Sequence, residues 1–556
     1  MNNTVLPASK INRNGIFYTL CISAVLIFCL AAGCTDMFSP TQSSGNLTSV
    51  PANDVIISVD SPSALTYTSA MQKGGVPAGS LIYEGLVIKD RNGTFDPSLA
   101  QSWNVSPDAK TWTFNLMQNA TWNDGVPFTC SDVRFTNDYM KANNLTMGYV
   151  LSDVQSVECP DNYTAVFNLK TPYSAFLDQI SRTPGLTISP EHIWQNVSDP
   201  QHYQDSRMTG TGPFVFTQAA PGYYQLTTNE NFHGRVPTIP GVVLKVITNA
   251  DSQVLALKNG EIDVVSGLTP AVAQSLSGDS NISIYSINDT GACEVAFNMA
   301  QYPANISAFR HAMSHAVDRD TISSLFGTGR PTETTFLIPD LAGDYVNPAD
   351  VGMYDYNLTE AQDMLAQAGF VKNADGTLIG PDGNPVTITI PLGTKGTEVN
   401  DEIIAVLKND WAQLGISVST LNYQDATQYR NAVNANPVFI DSFPVLLHDD
   451  PDALGNFAVT PLQETNYYNY NNPQYNSIVA RIKNTTDPVE VKEMAYRLQD
   501  LLAQDIPTVP VASTDTLVAY RSDRFTGWDI GPGYHSIMDP RVLENLTPVQ
   551  QNNGSP

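Results

Sequence analysis

The chain has 556 residues, more than one ordinary hydrophobic core organises, so two or more domains are expected. Its hydrophobic content of 42% and charged content of 15% are typical of a folded protein and argue against disorder. The 55 acidic and 28 basic residues give a net charge of −27, which argues against a nucleic-acid partner because phosphate binding needs a basic face.

The N-terminus has the pattern of a secretory signal. Lys10 and Arg13 precede an apolar run at residues 16–30, which is shorter than the roughly 20 residues that span a bilayer. Small residues then lead to Cys34, and this arrangement resembles a lipobox, in which the cysteine is lipidated. The sequence therefore predicts a signal peptide at 1–33 and a protein anchored through Cys34 on the outer side of the cytoplasmic membrane, at the cell surface or in the periplasm. An uncleaved anchor helix is the alternative, with the same outward location.

Residues 34–53 are rich in Ser, Thr, Pro and Gly, a composition that predicts a flexible tether. Beyond the tether the cysteines are Cys130, Cys159 and Cys293, and no C-x-x-C metal spacing occurs. One disulfide, Cys130 to Cys159, is compatible with an oxidising compartment, but the sequence does not establish it.

Asn-x-Ser/Thr sequons recur along the chain. Many such triplets arise by chance in a chain rich in Asn and Thr, and their density is weak support for a glycosylated protein at the exterior. They include Asn46, Asn92, Asn104, Asn119, Asn144, Asn196, Asn305 and Asn484.

Short alternating segments and amphipathic helices interleave throughout, which predicts mixed α and β structure without a solenoid or propeller repeat. Strands are predicted at residues 54–60, 111–116, 163–170, 241–248 and 293–299. In the second of these, the residues predicted to face inward are Trp112, Phe114 and Leu116. An Asp-Gly turn at 124–125 follows, and Thr129 with Asp132 predicts a capped helix start.

Amphipathic runs at residues 251–263, 357–370 and 401–418 predict three further helices, the last followed directly by a strand. Their predicted stop signals are Gly260, Gly369 and Gly415. Thr359, with Gln362 three positions later, is the predicted cap of the second helix.

The stretch after residue 111 strongly resembles the signature of the family 5 extracellular solute-binding proteins, the peptide- and nickel-binding receptors of ABC importers. The matching residues are Trp122, Asp124, Gly125, Pro127, Phe128, Asp132 and Val133. Further landmarks follow in the family's order, at residues 210–216, 257–265, 295–299, 309–322, 360–370 and 498–511. The resemblance covers the chain from about residue 54 to 545.

The resemblance implies an α/β, two-lobed periplasmic-binding-protein-like fold of type II with an extra subdomain inserted in the first lobe. The implied boundaries are lobe I at 54–294 with the insertion at about 83–207, lobe II at 295–505, a return to lobe I at 506–545 and a tail at 546–556. Such lobes close around a ligand by a hinge.

The implied function is that of a monomeric receptor that captures a small solute, with a peptide as first choice, and delivers it to an ABC permease. It implies no cofactor, no catalytic step and no nucleic acid. A nickel chelate or an oligosaccharide is the alternative ligand, and a surface sensor is the alternative role.

Two family positions bear on the ligand. The aspartate that pairs with a peptide's ammonium group would fall at about Leu447, which cannot neutralise that charge, so either Asp449 takes over or the ligand lacks an ammonium. The arginine that pairs with a dipeptide carboxylate would fall near Thr394, beside Lys395. Asp450, together with Pro451, matches the Asp-Pro pair of the family. His448, beside this pair, keeps a metal chelate as an alternative ligand.

Tyrosines near the predicted cleft loops can stack on sugars or line a peptide cleft, and they are as often packing residues. They are Tyr83, Tyr423, Tyr467, Tyr468, Tyr470 and Tyr534.

Two alternative sites were weighed against binding. The aspartates of residues 448–454 could supply an acid and a base for a surface hydrolase, although such a loop is more often a helix start, and no G-x-S-x-G, H-E-x-x-H or P-loop pattern accompanies it. His311 and His315 have metal-ligand spacing, and a packed histidine pair is the preferred interpretation.

Overall fold

The computed structural model describes residues 53–59, 77–90, 94–143, 145, 151–181, 186–200, 203, 207–325, 337, 343–349, 354–393, 397–423, 425–444, 451, 454–455, 466–485, 487–529 and 536–549. The predicted signal, Cys34 and most of the tether belong to the N-terminal unit Met1–Val50 and lie outside these residues.

The described strands are β1 Val55–Val59, β2 Val87–Lys89, β3 Phe95–Pro97, β4 Ala100–Val105, β5 Thr111–Leu116, β6 Val154–Asp161, β7 Thr164–Leu169, β8 Phe214–Ala220, β9 Tyr223–Thr228, β10 Gly241–Val246, β11 Val264–Leu268, β12 Ile282–Phe297, β13 Val371–Lys372, β14 Leu378–Ile379, β15 Thr387–Leu392, β16 Ser417–Asn422, β17 Val438–Pro444, β18 Thr508–Arg521, β19 Phe525–Thr526 and β20 Thr547–Pro548.

The described helices are α1 Cys130–Ala142, α2 Phe176–Ser181, α3 Glu191–Trp194, α4 Ala250–Lys258, α5 Pro270–Leu276, α6 Ser307–Ser314, α7 Arg319–Leu325, α8 Leu358–Gln367, α9 Thr397–Gln413, α10 Ala426–Ala435, α11 Pro473–Ile482, α12 Pro488–Asp505 and α13 Pro540–Glu544. The predicted mixture of α and β structure is confirmed.

The predicted strand-to-helix stretch is confirmed. Trp112, Phe114 and Leu116 are buried while their neighbours in β5 are half-buried, as alternation requires. The Thr129 side chain accepts from the backbone of α1, and Asp132 Oδ2 accepts the Thr129 backbone N–H at 2.9 Å, so both halves of a capping box are present. These two contacts start the helix directly after the turn.

Two of the later predictions needed correction. The cap of α8 is Asn357, whose Oδ1 accepts the Glu360 N–H at 3.1 Å, and Thr359 lies inside the helix. Both residue types cap helices, and pattern alone did not decide between them. The strand predicted at 293–299 is the end of β12, which begins at Ile282. The stop signals were right, since Gly260, Gly369 and Gly415 all have positive φ.

One sheet of eight strands organises the molecule, in the order β17-β12-β18-β11-β1-β10-β9-β8. β12 and β18 are its longest members, with 16 and 14 residues, and they pair antiparallel. Their register shifts between Ile287 and Gly291, and again between Cys293 and Glu294. Each shift is an irregularity of the bulge kind, which bends a strand and locally increases its twist.

Two large hydrophobic cores lie on either side of these irregularities. The first core draws on residues from Val55 to Ile287 and from Val518 to Leu546. The second core draws on residues from Cys293 to Val511. β12 and β18 therefore contribute to both cores. The two strands therefore connect the two cores.

A smaller apolar cluster covers the other face of β1, β10 and β11. Val55 and Ile57 of β1 face the first core, whereas Ile56 packs with Leu257 of α4 and Leu276 of α5. Both faces of β1 are therefore buried, which accounts for its four apolar residues in five, and β1 pairs parallel with β10 as buried strands of this kind commonly do.

A buried ion pair holds the first core to the end of β18. Arg524 Nη1 donates to both carboxylate oxygens of Asp263, at 2.8 and 2.9 Å, and the Ile56 backbone N–H donates to Asp263 Oδ2 at 2.8 Å. The Asp263 side chain is fully buried, and these donors offset part of the cost of burying its charge, since burial still raises the pKa of Asp263 to about 6. The contact ties β1, the start of β11 and the C-terminal segment together.

Close packing of the backbone explains the two glycines of the Gly-Thr-Gly-Pro-Phe segment at residues 210–214, which is part of the family landmark at 210–216. The Gly212 N–H donates to the Ile82 carbonyl at 2.9 Å. A Cβ at Gly210 would lie 2.0 Å from the same carbonyl oxygen, so only glycine fits.

The C-terminal segment closes on the first core through polar contacts. His233 Nε2 lies 3.0 and 3.1 Å from the two Glu84 oxygens, and Ser98 Oγ donates to Glu84 at 3.0 Å. Arg541 of α13 donates to Asp96 at 2.9 Å. These contacts bring residues separated by several hundred positions into one cluster.

Glu544 at the end of α13 adds a second carboxyl near Glu84. Burial, followed by the nearby charges of Asp539 and Glu84, raises the pKa of Glu544 to about 7. Burial opposes the charged form of His233, but its hydrogen bond to Glu84 and the charges of Glu84 and Glu544 outweigh burial and raise the pKa of His233. The cluster thus favours a protonated Glu544 beside a charged His233.

A disulfide joins Cys130 and Cys159, with their Cα atoms 5.7 Å apart, so the pairing considered from the sequence is present. It ties the start of α1 to β6. Cys293 is buried and is not part of this bond.

None of the helices in the described ranges combines the length and the apolar character needed to cross a bilayer.

Replacing both Cys130 and Cys159 with serine is expected to lower the free energy of unfolding by about 2–4 kcal/mol, because the bond closes a loop between residues 29 apart and restricts the unfolded chain. Urea unfolding measures the loss. A reducing agent should destabilise the parent protein similarly and leave the double variant unchanged; equal sensitivity of both would contradict the assignment.

Glu544→Gln is expected to stabilise the protein at about pH 8 by about 1–2 kcal/mol and to change little at about pH 5. The folded protein binds the Glu544 proton more tightly than the unfolded chain, so the stability this group contributes is lost as pH rises through about 7. Urea unfolding at both pH values measures the difference. Glu493→Gln, at an exposed position of α12, is the matched control for removing one negative charge; a gain independent of pH would contradict the prediction.

Candidate functional site

Three strands meet where the two cores join. The last residue of β17, Pro444, pairs with Gly291 of β12, and Gly291 also pairs with Thr514 of β18. Across the same junction Ser286 Oγ donates to Asp515 Oδ2 at 2.8 Å. Residues 445–450 follow β17 directly in the sequence and include the first three residues of the predicted acidic stretch 448–454. β17 therefore ends at the junction of the two cores, and the acidic stretch begins four positions later in the sequence.

A second group of candidates follows a pair of parallel strands. Leu392 at the end of β15 pairs with Asn422 at the end of β16, and the Tyr423 N–H donates to the Leu392 carbonyl at 2.8 Å. The carboxyl ends of parallel strands meet at one edge, where side chains from both can converge on a ligand. Tyr423 is half-buried at this edge, and Lys395 follows β15 by three positions in the sequence.

The neighbouring tyrosines Tyr467 and Tyr468 pack around Phe439 of β17. Their ring centroids lie 6.5 and 5.6 Å from that of Phe439. Tyr468 is buried and its carbonyl accepts the Met299 N–H at 2.8 Å, whereas Tyr467 is half-buried. Tyr467 therefore keeps an accessible surface, and Tyr468 has a packing environment.

Tyr83 and Tyr470 also have packing environments. Tyr83 is 5% exposed in the first core. Tyr470 is 1% exposed in the second core, its ring centroid lies 5.2 Å from that of Tyr475, and its hydroxyl donates to Asp505 at 2.9 Å. Buried tyrosine hydroxyls commonly find such partners.

The remaining predicted ligand residues lie outside the described residues. They are Lys395, Leu447, His448, Asp449, Asp450 and Tyr534. The hydrolase candidate Asp452 also lies there. On the far side of the acidic loop, Pro451 and Leu454 are buried, and the Tyr475 hydroxyl donates to the Leu454 carbonyl. The chain thus returns from that loop into the second core.

His311 and His315 contact backbone carbonyls. His311 Nε2 lies 3.0 Å from the Gln504 oxygen, and His315 Nδ1 lies 3.0 Å from the Asp355 oxygen. Burial, together with the charge of Arg310, lowers the pKa of His311 although the Gln504 contact opposes this. Within the ranges given above, no three histidine, cysteine or acidic side chains group as metal ligands. The packed interpretation accounts for both residues.

One further contact joins the two cores away from the paired strands. The Ser174 N–H donates to the Lys483 carbonyl at 3.2 Å, and Lys483 Nζ lies 5.7 Å from the ring centroid of Tyr173. Tyr173 belongs to the first core, and the neighbouring Ile482 belongs to the second. We call this set the Tyr173–Lys483 contact. Sequence reasoning missed it, because neither residue stands in a pattern that predicts its partner.

The comparisons with known proteins agree on one family. Residues 94–457 match the model described as bacterial extracellular solute-binding proteins, family 5, middle. The chain is 24% identical to the peptide transport periplasmic protein SapA of Salmonella typhimurium over 453 residues, which cover 77% of this chain and 80% of SapA.

Two solved structures have a similar fold. NikZ from Campylobacter jejuni in complex with Ni(L-His) gives a TM-score of 0.74 at 22% identity and covers 90% of this chain and 100% of its own. The oligopeptide-binding protein AppA from Bacillus subtilis, in complex with a nonapeptide, gives a TM-score of 0.71 at 20% identity. The match covers 89% of this chain and 99% of the AppA chain.

Family membership settles the fold class and the absence of a catalytic role. The family fold is the two-lobed type II fold of periplasmic binding proteins, as predicted, and its members are transport receptors and not enzymes. The hydrolase interpretation is therefore excluded. This chain belongs to the bacterial extracellular solute-binding proteins of family 5.

Proposed function

We propose that the protein is the substrate-binding component of an ABC importer, which captures a solute between two lobes and delivers it to a permease. The observation that carries the proposal is the pair of strands β12 and β18, which connects two separately packed cores. Two rigid bodies joined by two strands can rotate with small changes at the connection. SapA, a peptide transport protein, supplies the importer context.

The lobe boundaries expected from the sequence remain part of this proposal. Lobe I comprises residues 54–294 and 506–545, with the insertion at about 83–207, and lobe II comprises 295–505. The distribution of the two cores supports this division to within a few residues. In this mechanism ligand binding stabilises the closed arrangement, because only that arrangement offers contacts from both lobes.

A peptide is the proposed ligand. Tyr423 and Tyr467 are the described candidates with accessible surface, and they belong to the second lobe. Lys395 would pair with a ligand carboxylate, as a flexible point charge and not as the bidentate fork of an arginine. Leu447 leaves an ammonium group without its usual partner, so Asp449 would have to take that role. Buried Tyr83 and Tyr468 are proposed to shape the site and not to contact the ligand.

Lipidation of Cys34 would keep the receptor near its permease on the outer face of the membrane. A tethered receptor samples a small volume, which raises the effective concentration at the permease without any new contact. The receptor acts as a monomer in this arrangement.

The proposed function predicts that a peptide library will raise the melting temperature of the full chain. A ligand that binds only the folded state stabilises it by about 2.7 kcal/mol at 100 times its Kd. Nickel chelates and oligosaccharides form the other arms of the same thermal-shift screen. A response restricted to either of those arms would overturn the peptide assignment.

Tyr423→Ala tests the site at the ends of β15 and β16, and it is expected to weaken binding of the identified ligand at least about fivefold with little effect on the unliganded protein. Val371→Ala is the matched control: Val371 is 64% exposed, and its hairpin β13–β14 contacts Gly415 at the opposite end of β16. Calorimetric titration measures the ligand affinity of both variants. Equal affinities of Tyr423→Ala and Val371→Ala would remove Tyr423 from the site.

We further propose that the Tyr173–Lys483 contact belongs to the closed form. Lys483→Ala is then expected to weaken ligand binding about two- to fivefold, because a cation over an aromatic ring contributes about 0.5–1 kcal/mol near a surface. Lys483→Arg keeps the cation and should bind like the parent protein. Loss of affinity in both variants, or in neither, would contradict this role.

A further inference from the structure

The chain contains more glycosylation sequons than its composition predicts. Its 45 asparagines and 90 serines and threonines among 556 residues would form about seven Asn-x-Ser/Thr triplets by random placement, with proline excluded from the middle position. The sequence contains 15. The excess over random placement is about twofold.

The structure places these asparagines at the surface. Nine sequon asparagines have described side chains, namely Asn104, Asn119, Asn162, Asn196, Asn281, Asn305, Asn357, Asn484 and Asn545. All are exposed except Asn545, which is half-buried. The asparagines that are buried in the described ranges are Asn137, Asn229, Asn298 and Asn347, and none of them begins a sequon. Triplets therefore coincide with accessible amides.

Three of these positions have the local geometry that an acceptor needs. Asn162 lies in the turn between β6 and β7, Asn196 follows α3, and Asn305 precedes α6. Among the described residues, the Nδ2 atoms of these three make no hydrogen bond. By contrast, Asn357 Nδ2 donates to Glu360 and Asn484 Nδ2 donates to Ala480. The first three amides can be reached without breaking a native contact.

One long segment has asparagines but no sequons. Residues 358–483 contain 14 asparagines, and none begins a triplet, whereas the remaining 31 asparagines begin all 15. This segment holds the ends of β15 and β16 and the chain around the predicted acidic loop. A branched, hydrated oligosaccharide there would obstruct access to the proposed ligand site. The triplets are thus confined to the rest of the chain, away from the proposed ligand site.

We propose that Asn162, Asn196 and Asn305 are N-glycosylation sites. The donor class is a lipid-linked oligosaccharide, and the enzyme class is a membrane oligosaccharide transferase on the outer side of the membrane. Nδ2 attacks C1 of the first sugar, the Nδ2–C1 bond forms, and the C1–O bond to the lipid phosphate breaks. The bonding electron pair leaves with the phosphate, and a base of the transferase takes the displaced Nδ2 proton.

Glycopeptide mass spectrometry of the full protein, isolated from the organism that encodes it, tests the proposal. The expected result is one common oligosaccharide mass increment on the peptides that contain Asn162, Asn196 and Asn305. Unmodified peptides at all three positions would overturn the proposal. The mass increment does not depend on ligand binding, so its outcome tests the glycosylation proposal separately from the proposed function.

A matched pair of variants at one exposed sequon tests the acceptor chemistry. Ser198 is exposed, so Ser198→Ala and Ser198→Thr should both fold with the parent melting temperature. Ser198→Ala removes the hydroxyl of the Asn196 triplet and is expected to abolish the increment on Asn196 alone, while Ser198→Thr keeps it. An increment on Asn196 that persists in Ser198→Ala would show that modification does not follow the sequon and would overturn the proposal.

Discussion

The antiparallel pairing of β12 with β18 is the constraint on which the rest of the molecule depends. Both strands begin in one hydrophobic core and end in the other, and they hydrogen-bond to each other on both sides of the junction. At the junction the register shifts, so the regular ladder is interrupted where the cores separate. The pairing of the two strands is therefore regular on either side of the segment between Ile287 and Glu294 and irregular within it.

The contacts within a core and the contact between the two cores differ in strength. Within the first core, Asp263 is fully buried and is paired by Arg524 and the Ile56 amide, and breaking such a set costs several kcal/mol. The Tyr173–Lys483 contact between the cores is a single hydrogen bond and a cation near a ring, which together contribute about 1–2 kcal/mol. In the proposed mechanism each core moves as a unit, and the contact between the cores is the weaker of the two. A ligand that contacts both lobes then shifts the arrangement by its differential affinity for the closed form.

Much of the fold could be predicted from local pattern. The alternation in β5, the capping box at Thr129 and the positive-φ glycines at helix ends all depend on residues within a few positions of each other. The errors have local causes too. Asn357 and Thr359 are both suitable caps, and β12 contains polar residues at 286–290 that conceal its first half from a search for apolar alternation.

Less of the candidate site could be predicted from the sequence, because its residues come together only through the pairing of strands in the sheet. Tyr467 and Tyr468 look equivalent in the sequence, yet one is half-buried and the other is buried against Phe439. By itself the sequence determined the family, the mixed α/β class, the capping box at Thr129 and the glycines that end helices, because these depend on composition and short-range spacing. Only the tertiary structure decided that Cys130 pairs with Cys159, that β12 and β18 run through both cores, and that Tyr173 meets Lys483. Those outcomes depend on distances between residues far apart in the chain, which periodicity and spacing do not encode.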